Sequence, residues 1–324
     1  MIKSFLLALS ACATLLGAAA QAQESYPDRT IKLIVPSSPG GAADFLARII
    51  SPGLSHLLGQ TIVVENKPGA SGTIAGSMIA RSKPDGYTLD MAQAASIVAA
   101  PYIYKQLPYD PSKDLAPVAL VAKFPYILEV NAKSDIKSLA DLVAKAKAKP
   151  GTITFGSAGL GTPSHLAGEM LQEMAGIKMI HVPYKGAGPA SNALLANQIN
   201  AVFVVSSSAI PMLKGKEVRA LAISTAQRKA SAPGIPTIAE LGYPGFDITS
   251  WFGVFAPAGT PPAVIAKLNK SIAQTLKDPK VDEYFKRLAI DAGGGSPAQF
   301  AKFIEAEGRT AKRLIVGDKA AGAK

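Results

Sequence analysis

Ile31-Lys32-Leu33-Ile34-Val35-Pro36-Ser37-Ser38-Pro39-Gly40-Gly41-Ala42-Ala43-Asp44 begins as a β-branched apolar run and ends where an amphipathic segment opens. Thr152-Ile153-Thr154-Phe155-Gly156-Ser157-Ala158-Gly159-Leu160-Gly161-Thr162-Pro163-Ser164-His165 repeats that plan more than a hundred residues later. Each reads as strand, Gly/Ser loop, helix, the opening half of a βαβ unit. The helices show their faces by spacing: Leu46, Ile50, Leu54 and Leu57 before Gly59, then Leu166, Met170 and Met174 before Gly176. Pro52 is expected to bend or break the first of them.

Further short apolar runs continue the alternation: Ile62 to Glu65, Tyr87 to Met91, Met179 to Val182, Ala201 to Val205 and Val218 to Ile223. The pattern predicts an α/β fold with a mostly parallel sheet. A chain of 324 residues favours two domains. The turn-rich stretch Tyr109 to Pro117 leads into Val118 to Val121, which carries the chain into the second domain. Thr249 to Phe255 brings it back, before Ala256-Pro257-Ala258-Gly259-Thr260-Pro261-Pro262 opens a new helix. The expected boundaries are 27–121 plus 253–316 for a discontinuous first domain, 122–252 for the second, and 317–324 for a frayed tail. Two crossings make a hinge, and the cleft beside a hinge is where ligands sit.

The amino terminus carries Lys3, the apolar run Phe5 to Ala20 and Ala20-Gln21-Ala22, a signal peptide over residues 1–22 with an A-x-A cleavage site. Leu9-Ser10-Ala11-Cys12 matches a lipoprotein box, but Cys12 falls midway through the apolar run, so the match is read as chance. Cleavage removes the only cysteine, which excludes disulfides and thiolate chemistry from the mature chain. The formal charge of +11 falls by one with Lys3 and still favours anionic partners. The basic residues are scattered and not interleaved with aromatics, so nucleic acid is not expected as a partner.

Both strand-to-helix loops suit an anion. Glycine lets the backbone approach a ligand, and a helix's first turn offers unpaired N–H groups with partial positive charge. In the second loop Thr162 fits an N-cap and Pro163 the first helical position, so part of the pattern is plain capping. Ser157, Ser164 and His165 remain as spare polar groups. A third strand-to-helix loop, Pro183 to Ala190, carries Lys185, read as facing water. Enzyme signatures are missing: no P-loop ending, no dinucleotide fingerprint and no G-x-S-x-G elbow. Ser134-Asp135-Ile136-Lys137 matches S-x-x-K without its companion motifs and reads as the lead into a helix capped by Ser138. His56, His165 and His181 show no metal spacing, so neither metal nor cofactor is expected. A serine hydrolase using Ser157 or Ser164 with His165 is the runner-up, and a sensor feeding a signalling receptor would use the same cleft.

The ordered motifs Pro39-Gly40-Gly41 with Asp44, Val64-Glu65-Asn66-Lys67-Pro68-Gly69-Ala70, Pro84-Asp85-Gly86-Tyr87-Thr88-Leu89, Tyr109-Asp110-Pro111, Gly156-Ser157-Ala158-Gly159, Val182-Pro183-Tyr184-Lys185-Gly186 and Trp251-Phe252-Gly253 cover nearly the whole mature chain. With them the sequence resembles the Bug (TctC-type) periplasmic solute receptors of tripartite tricarboxylate transporters. The resemblance implies a two-domain periplasmic-binding-protein (Venus-flytrap) fold and a monomeric, non-enzymatic receptor. Such a receptor holds a small carboxylate ligand in its cleft and delivers it to the membrane permease of the transporter. Carried over residue by residue, it assigns ligand binding to Gly40, Gly41 and Asp44 in the first loop and to Ser157, Gly159, Thr162, Ser164 and His165 in the second. The chain departs from the family at Asn192 and Asn200, where the family often has Asp. If either lay at the cleft, an amine-bearing ligand would be less favoured.

Overall fold

The computed structural model describes residues 26–229 and 232–322, with side chains through Gly317. The signal-peptide and Cys12 readings therefore fall outside the described residues, as do residues 323–324 of the expected tail; residues 317–322 continue the last helix.

Ten strands run β1 Ile31–Val35, β2 Ile62–Asn66, β3 Thr88–Gln93, β4 Leu115–Asn131, β5 Thr154–Ser157, β6 Ile180–Pro183, β7 Ala201–Val205, β8 Val218–Ile223, β9 Thr249–Pro257 and β10 Asp291–Gly294. The helices are α1 Ala42–Leu58, α2 Thr73–Ala80, α3 Ala100–Ile103 after a π-helical turn at Ala95–Ala99, α4 Pro111–Asp114, α5 Leu139–Ala148, α6 Pro163–Ala175, α7 Ala187–Leu195, α8 Ser206–Lys214, α9 Pro262–Thr275, α10 Pro279–Arg287 and α11 Pro297–Gly322. The glycine stops hold: Gly59 (φ 71°) and Gly176 (φ 60°) end α1 and α6 in the left-handed conformation. Ser138 caps α5, its Oγ accepting from Asp141 N–H at 3.1 Å. Pro52 does not break α1, which continues through it as one helix.

The expected mostly parallel sheet is parallel only within each half. The strand order is β2-β1-β3-β9-β4-β7-β5-β6, with β8 and β10 also paired to β4. β1 lies parallel to β2 and β3, and β5 parallel to β6 and β7, whereas every pairing made by β4 and β9 is antiparallel. β4 is the spine: Leu115 to Pro125 pair with β9, then Tyr126 to Glu129 pair with β7. Pro125, unable to donate to a ladder, sits where the partner changes. Pro117, Lys123 and Pro125 also interrupt the apolar pattern, which is why only Val118 to Val121 stood out in the sequence.

A hydrophobic cluster runs through both halves, joining Ile34 and Ala92 to Leu128, Phe155, Leu166 and Trp251. The last helix contributes to both sides of it. Phe300 and Phe303 pack on Trp251 at 5.7 Å each, and Leu314 and Ile315 join the same cluster as Leu166 and Leu171. Arg313 also pairs with Glu173 of α6. Thus α11 ties the halves together in addition to the two strand crossings. The second half docks on the first through Ser206 Oγ, which donates to Ala289 O at 3.0 Å.

β10 can lie against β4 only because Gly293 has no side chain: a Cβ there would stand 2.1 Å from Leu120 O, a backbone atom that cannot rotate away. Gly293→Ala should therefore cost about 2 kcal/mol, as overpacking does. The check is the urea midpoint at unchanged slope, and a midpoint equal to that of the parent would show that β10 shifts freely.

Candidate functional site

The topology aims two strand ends at each other. β3 is antiparallel to β9, and β9 to β4, so β1, parallel to β3, runs in the direction of β4 toward the second half. β7 is antiparallel to β4 and parallel to β5, so β5 runs back toward the first half. The carboxyl ends of β1 and β5, with the loops Pro36–Gly41 and Ala158–Thr162, therefore point toward each other from the two halves, and carboxyl ends of strands are where open α/β sheets bind ligands. Each loop opens a helix, so the two amino-terminal turns of α1 and α6 contribute partial positive charge to one cleft.

In the first loop Gly40 turns at φ 82°, and its N–H donates to Asp44 Oδ2 at 2.9 Å. Asp44 is only 3% exposed. Its carboxylate also accepts from Arg48 Nε at 2.9 Å and from Asn66 Nδ2 at 2.9 Å, while Asn66 Nδ2 donates as well to Ser37 O. Arg48 above all, with the Gly40 and Asn66 donors, holds the Asp44 carboxyl well below the usual range, at about 2. The charge is thus consumed within the loop, and Asp44 is a strut that shapes Gly40 rather than an open anion. Gly41 is needed for space, because a Cβ there would stand 2.8 Å from Ser37 Oγ and 3.1 Å from Ser38 O. Ser38, Pro39, Gly40 and Ala42 are exposed.

The second loop is held from behind by the polar side chains singled out in the sequence. Ser157 is fully buried; its Oγ accepts from Gly159 N–H at 3.1 Å and lies 2.6 Å from His181 Nε2. Ser164, also buried, accepts from Ala158 N–H at 3.0 Å. His165 Nδ1 accepts from Gly161 N–H at 3.1 Å. That bond leaves the proton on Nε2, 3.6 Å from Glu169 Oε1, and burial pushes the imidazole down to about 4, so the ring is neutral. Thr162 occupies the N-cap position, but its hydroxyl caps nothing; it donates back to Gly159 O at 2.6 Å. Half-buried Gly159 and Thr162 and exposed Leu160 form the part of the loop left open.

Several contributors were not among the site residues that the sequence singled out. His181 stacks on His165 with centroids 4.1 Å apart and takes the Ser157 contact that the hydrolase reading gave to His165. Asn66 stitches the end of β2 to the first loop. Ala70 (φ 44°) and Ser71 (φ 54°) are left-handed non-glycine residues in a neighbouring loop, where Gly72 lies against Pro36 and Gln93 holds Ser71 O at 2.9 Å. Gly161 turns at φ 73° and lies so near the first half that a Cβ would reach within 1.8 Å of Ile103 Cδ1. By contrast Asn200 pairs with Thr154 at the opposite end of β5, away from the cleft, Asn192 is exposed within α7, and Lys185 is exposed.

Among the described residues no group of three or more His, Cys, Asp and Glu could hold a metal, and no helix is long and apolar enough to cross a membrane. Residues 46–319 match the family described as tripartite tricarboxylate transporter family receptor. Protein BugT of Bordetella pertussis is 37% identical over 291 residues, which cover 90% of this chain and 89% of BugT. An R. palustris protein solved with adipate superimposes with a TM-score of 0.80 at 34% identity, covering 90% of this chain and 98% of its own. MatC from Rhodopseudomonas palustris with bound malate gives 0.76 at 30% identity, over 90% of this chain and all of the other. With convergent strand-end loops on a periplasmic-binding-protein fold and a family match over most of its length, the chain belongs to the tripartite tricarboxylate transporter receptor family.

Proposed function

We propose that the protein is a monomeric periplasmic receptor that closes on a short dicarboxylate and delivers it, unchanged, to the membrane permease of its transporter. What supports this reading is the strand directions, which point the two helix-opening loops toward each other from the two halves. Adipate and malate in the two relatives are both dicarboxylates, which supports the ligand class. The ligand lies against Gly40, Gly41, Gly159 and Thr162, with the partial positive charge of the two helix starts behind them, while Asp44, Ser157, Ser164 and His165 fix the shape of those loops. Closure follows from differential affinity, since only the closed state lets both loops grip at once. The fully buried Ser157, despite its short contact with His181, offers no hydroxyl to a substrate, which favours binding over hydrolysis.

A thermal-shift screen with short dicarboxylates tests the proposal. A ligand at about 100 times its dissociation constant should add roughly 2.7 kcal/mol of stability. Gly41→Val should abolish the shift, and Ser157→Ala, which releases Gly159 and His181, should weaken the ligand about tenfold, near 1.4 kcal/mol. Shifts unchanged in both variants would remove the two-loop site. Ester turnover abolished by Ser157→Ala would overturn the receptor reading itself.

A further inference from the structure

Outside the cleft, the first half and α11 enclose a groove of about 640 Å³, within the roughly 300–1,000 Å³ of small-molecule sites. Its walls are apolar: Ile97 and Val98 of the π-helical turn, Tyr102 of α3, Leu115, Phe255 and Ile304. π-helical turns are frequent at functional sites. The groove uses another face of the Ala95–Ile103 segment than the one carrying Ala99 and Ile103, which meets Gly161 at the cleft.

α11 leaves the groove open with small residues on one face, Ala301 and Gly308. Gly308 is mid-helix, where glycine costs about 1 kcal/mol relative to alanine. No close approach requires it, since a Cβ there would meet nothing within 4 Å. Arg309, next in sequence, and Lys312, one turn on, reach the same groove, and neither has an ion-pair partner among the described residues. Asp110 is engaged by Ser112 and Lys113, which leaves Glu305 as the one acid opposing the two cations. An apolar trough with excess positive charge at its rim fits a molecule with an apolar body and one negative end.

We infer that this groove is a second ligand site, separate from the cleft, for an amphipathic monocarboxylate whose alkyl or aryl body lies along the π-helical turn and whose carboxylate meets Arg309 and Lys312. Octanoate is the probe, titrated into the intact protein by calorimetry, with octylammonium, one methylene longer in its alkyl body, as the partner of opposite charge. Octanoate should bind saturably and octylammonium at least tenfold more weakly. Arg309→Ala with Lys312→Ala, both at exposed positions, should weaken octanoate about fivefold to tenfold. Gly308→Leu should fill the trough and abolish binding, with no loss of melting temperature because leucine is the better helix former. Gly41→Val, which acts at the cleft, should leave octanoate binding unchanged. Equal binding of both probes, no effect of the paired alanines, loss of binding in Gly41→Val, or retention in a folded Gly308→Leu protein would each overturn the second site.

Discussion

The folded chain should gain several kcal/mol of stability as pH falls from about 8 to about 5, the reverse of ordinary acid sensitivity. Asp90 on β3 and Glu129 on β4 are both fully buried, and neither carboxyl has a hydrogen-bond partner among the described residues. Burial pushes each up to about 8. Above that value both must be ionised inside the core, or the fold must hold protons that the unfolded chain releases. Between the unfolded values near 4 and the folded values near 8, the native state binds more protons, so each group costs about 1.4 kcal/mol for every pH unit of increase. Glu307, raised to about 7 by burial and then by Asp247, adds to the same trend. His165 opposes it: its folded value of about 4 lies below the unfolded one, so its contribution is present at neutral pH and lost as pH falls from about 6.5. Asp44, held at about 2, matters only below pH 4. The acids outnumber the histidine, so the optimum should lie near pH 5. Urea unfolding at pH 5, 6, 7 and 8 gives the slope, and Asp90→Asn with Glu129→Gln should flatten it. A parent protein equally stable at pH 5 and 8 would show that these carboxyls reach water or partners.

The local plan of this molecule was legible because glycine and spacing report directly on backbone. Gly59 and Gly176 were placed as helix stops by spacing alone and both adopt the left-handed conformation. β1, β7 and β8 fall on the residues their β-branched or apolar composition suggested. What escaped was anything decided by long-range packing. β4 hides in a stretch broken by prolines, and its antiparallel pairing with β9, which sets the direction of both ligand loops, joins residues more than a hundred apart. The same limit applies to the site. A hydroxyl on a strand-end loop can face a ligand or its own backbone, and composition is identical in the two cases. Ser157, Ser164 and His165 turn inward because Gly159, Ala158 and Gly161 have N–H groups that need acceptors in a buried setting. His181, 24 residues from Ser157, comes to it only because β6 lies beside β5.

Gly161→Val should weaken the cleft ligand by at least about a hundredfold, near 2.7 kcal/mol, through two separable effects. The first is local. At φ 73° a β-branched residue is strained by roughly 1–2 kcal/mol, and the easiest relief is to move the loop away from His165 Nδ1 and reshape Gly159 and Thr162 with it. The second acts between the halves. The new side chain would stand where Ile103 Cδ1 now lies, within 1.8 Å, so Ile103 must rotate or the halves must separate. Calorimetry with the dicarboxylate found by the thermal-shift screen separates the terms by a double-mutant cycle with Ile103→Ala. If collision across the cleft dominates, Ile103→Ala should recover at least tenfold of the affinity lost in Gly161→Val while changing the parent little. If local strain dominates, the two losses should simply add. Affinity within threefold of the parent in Gly161→Val alone would mean that neither the shape of this loop nor its approach to the first half governs capture.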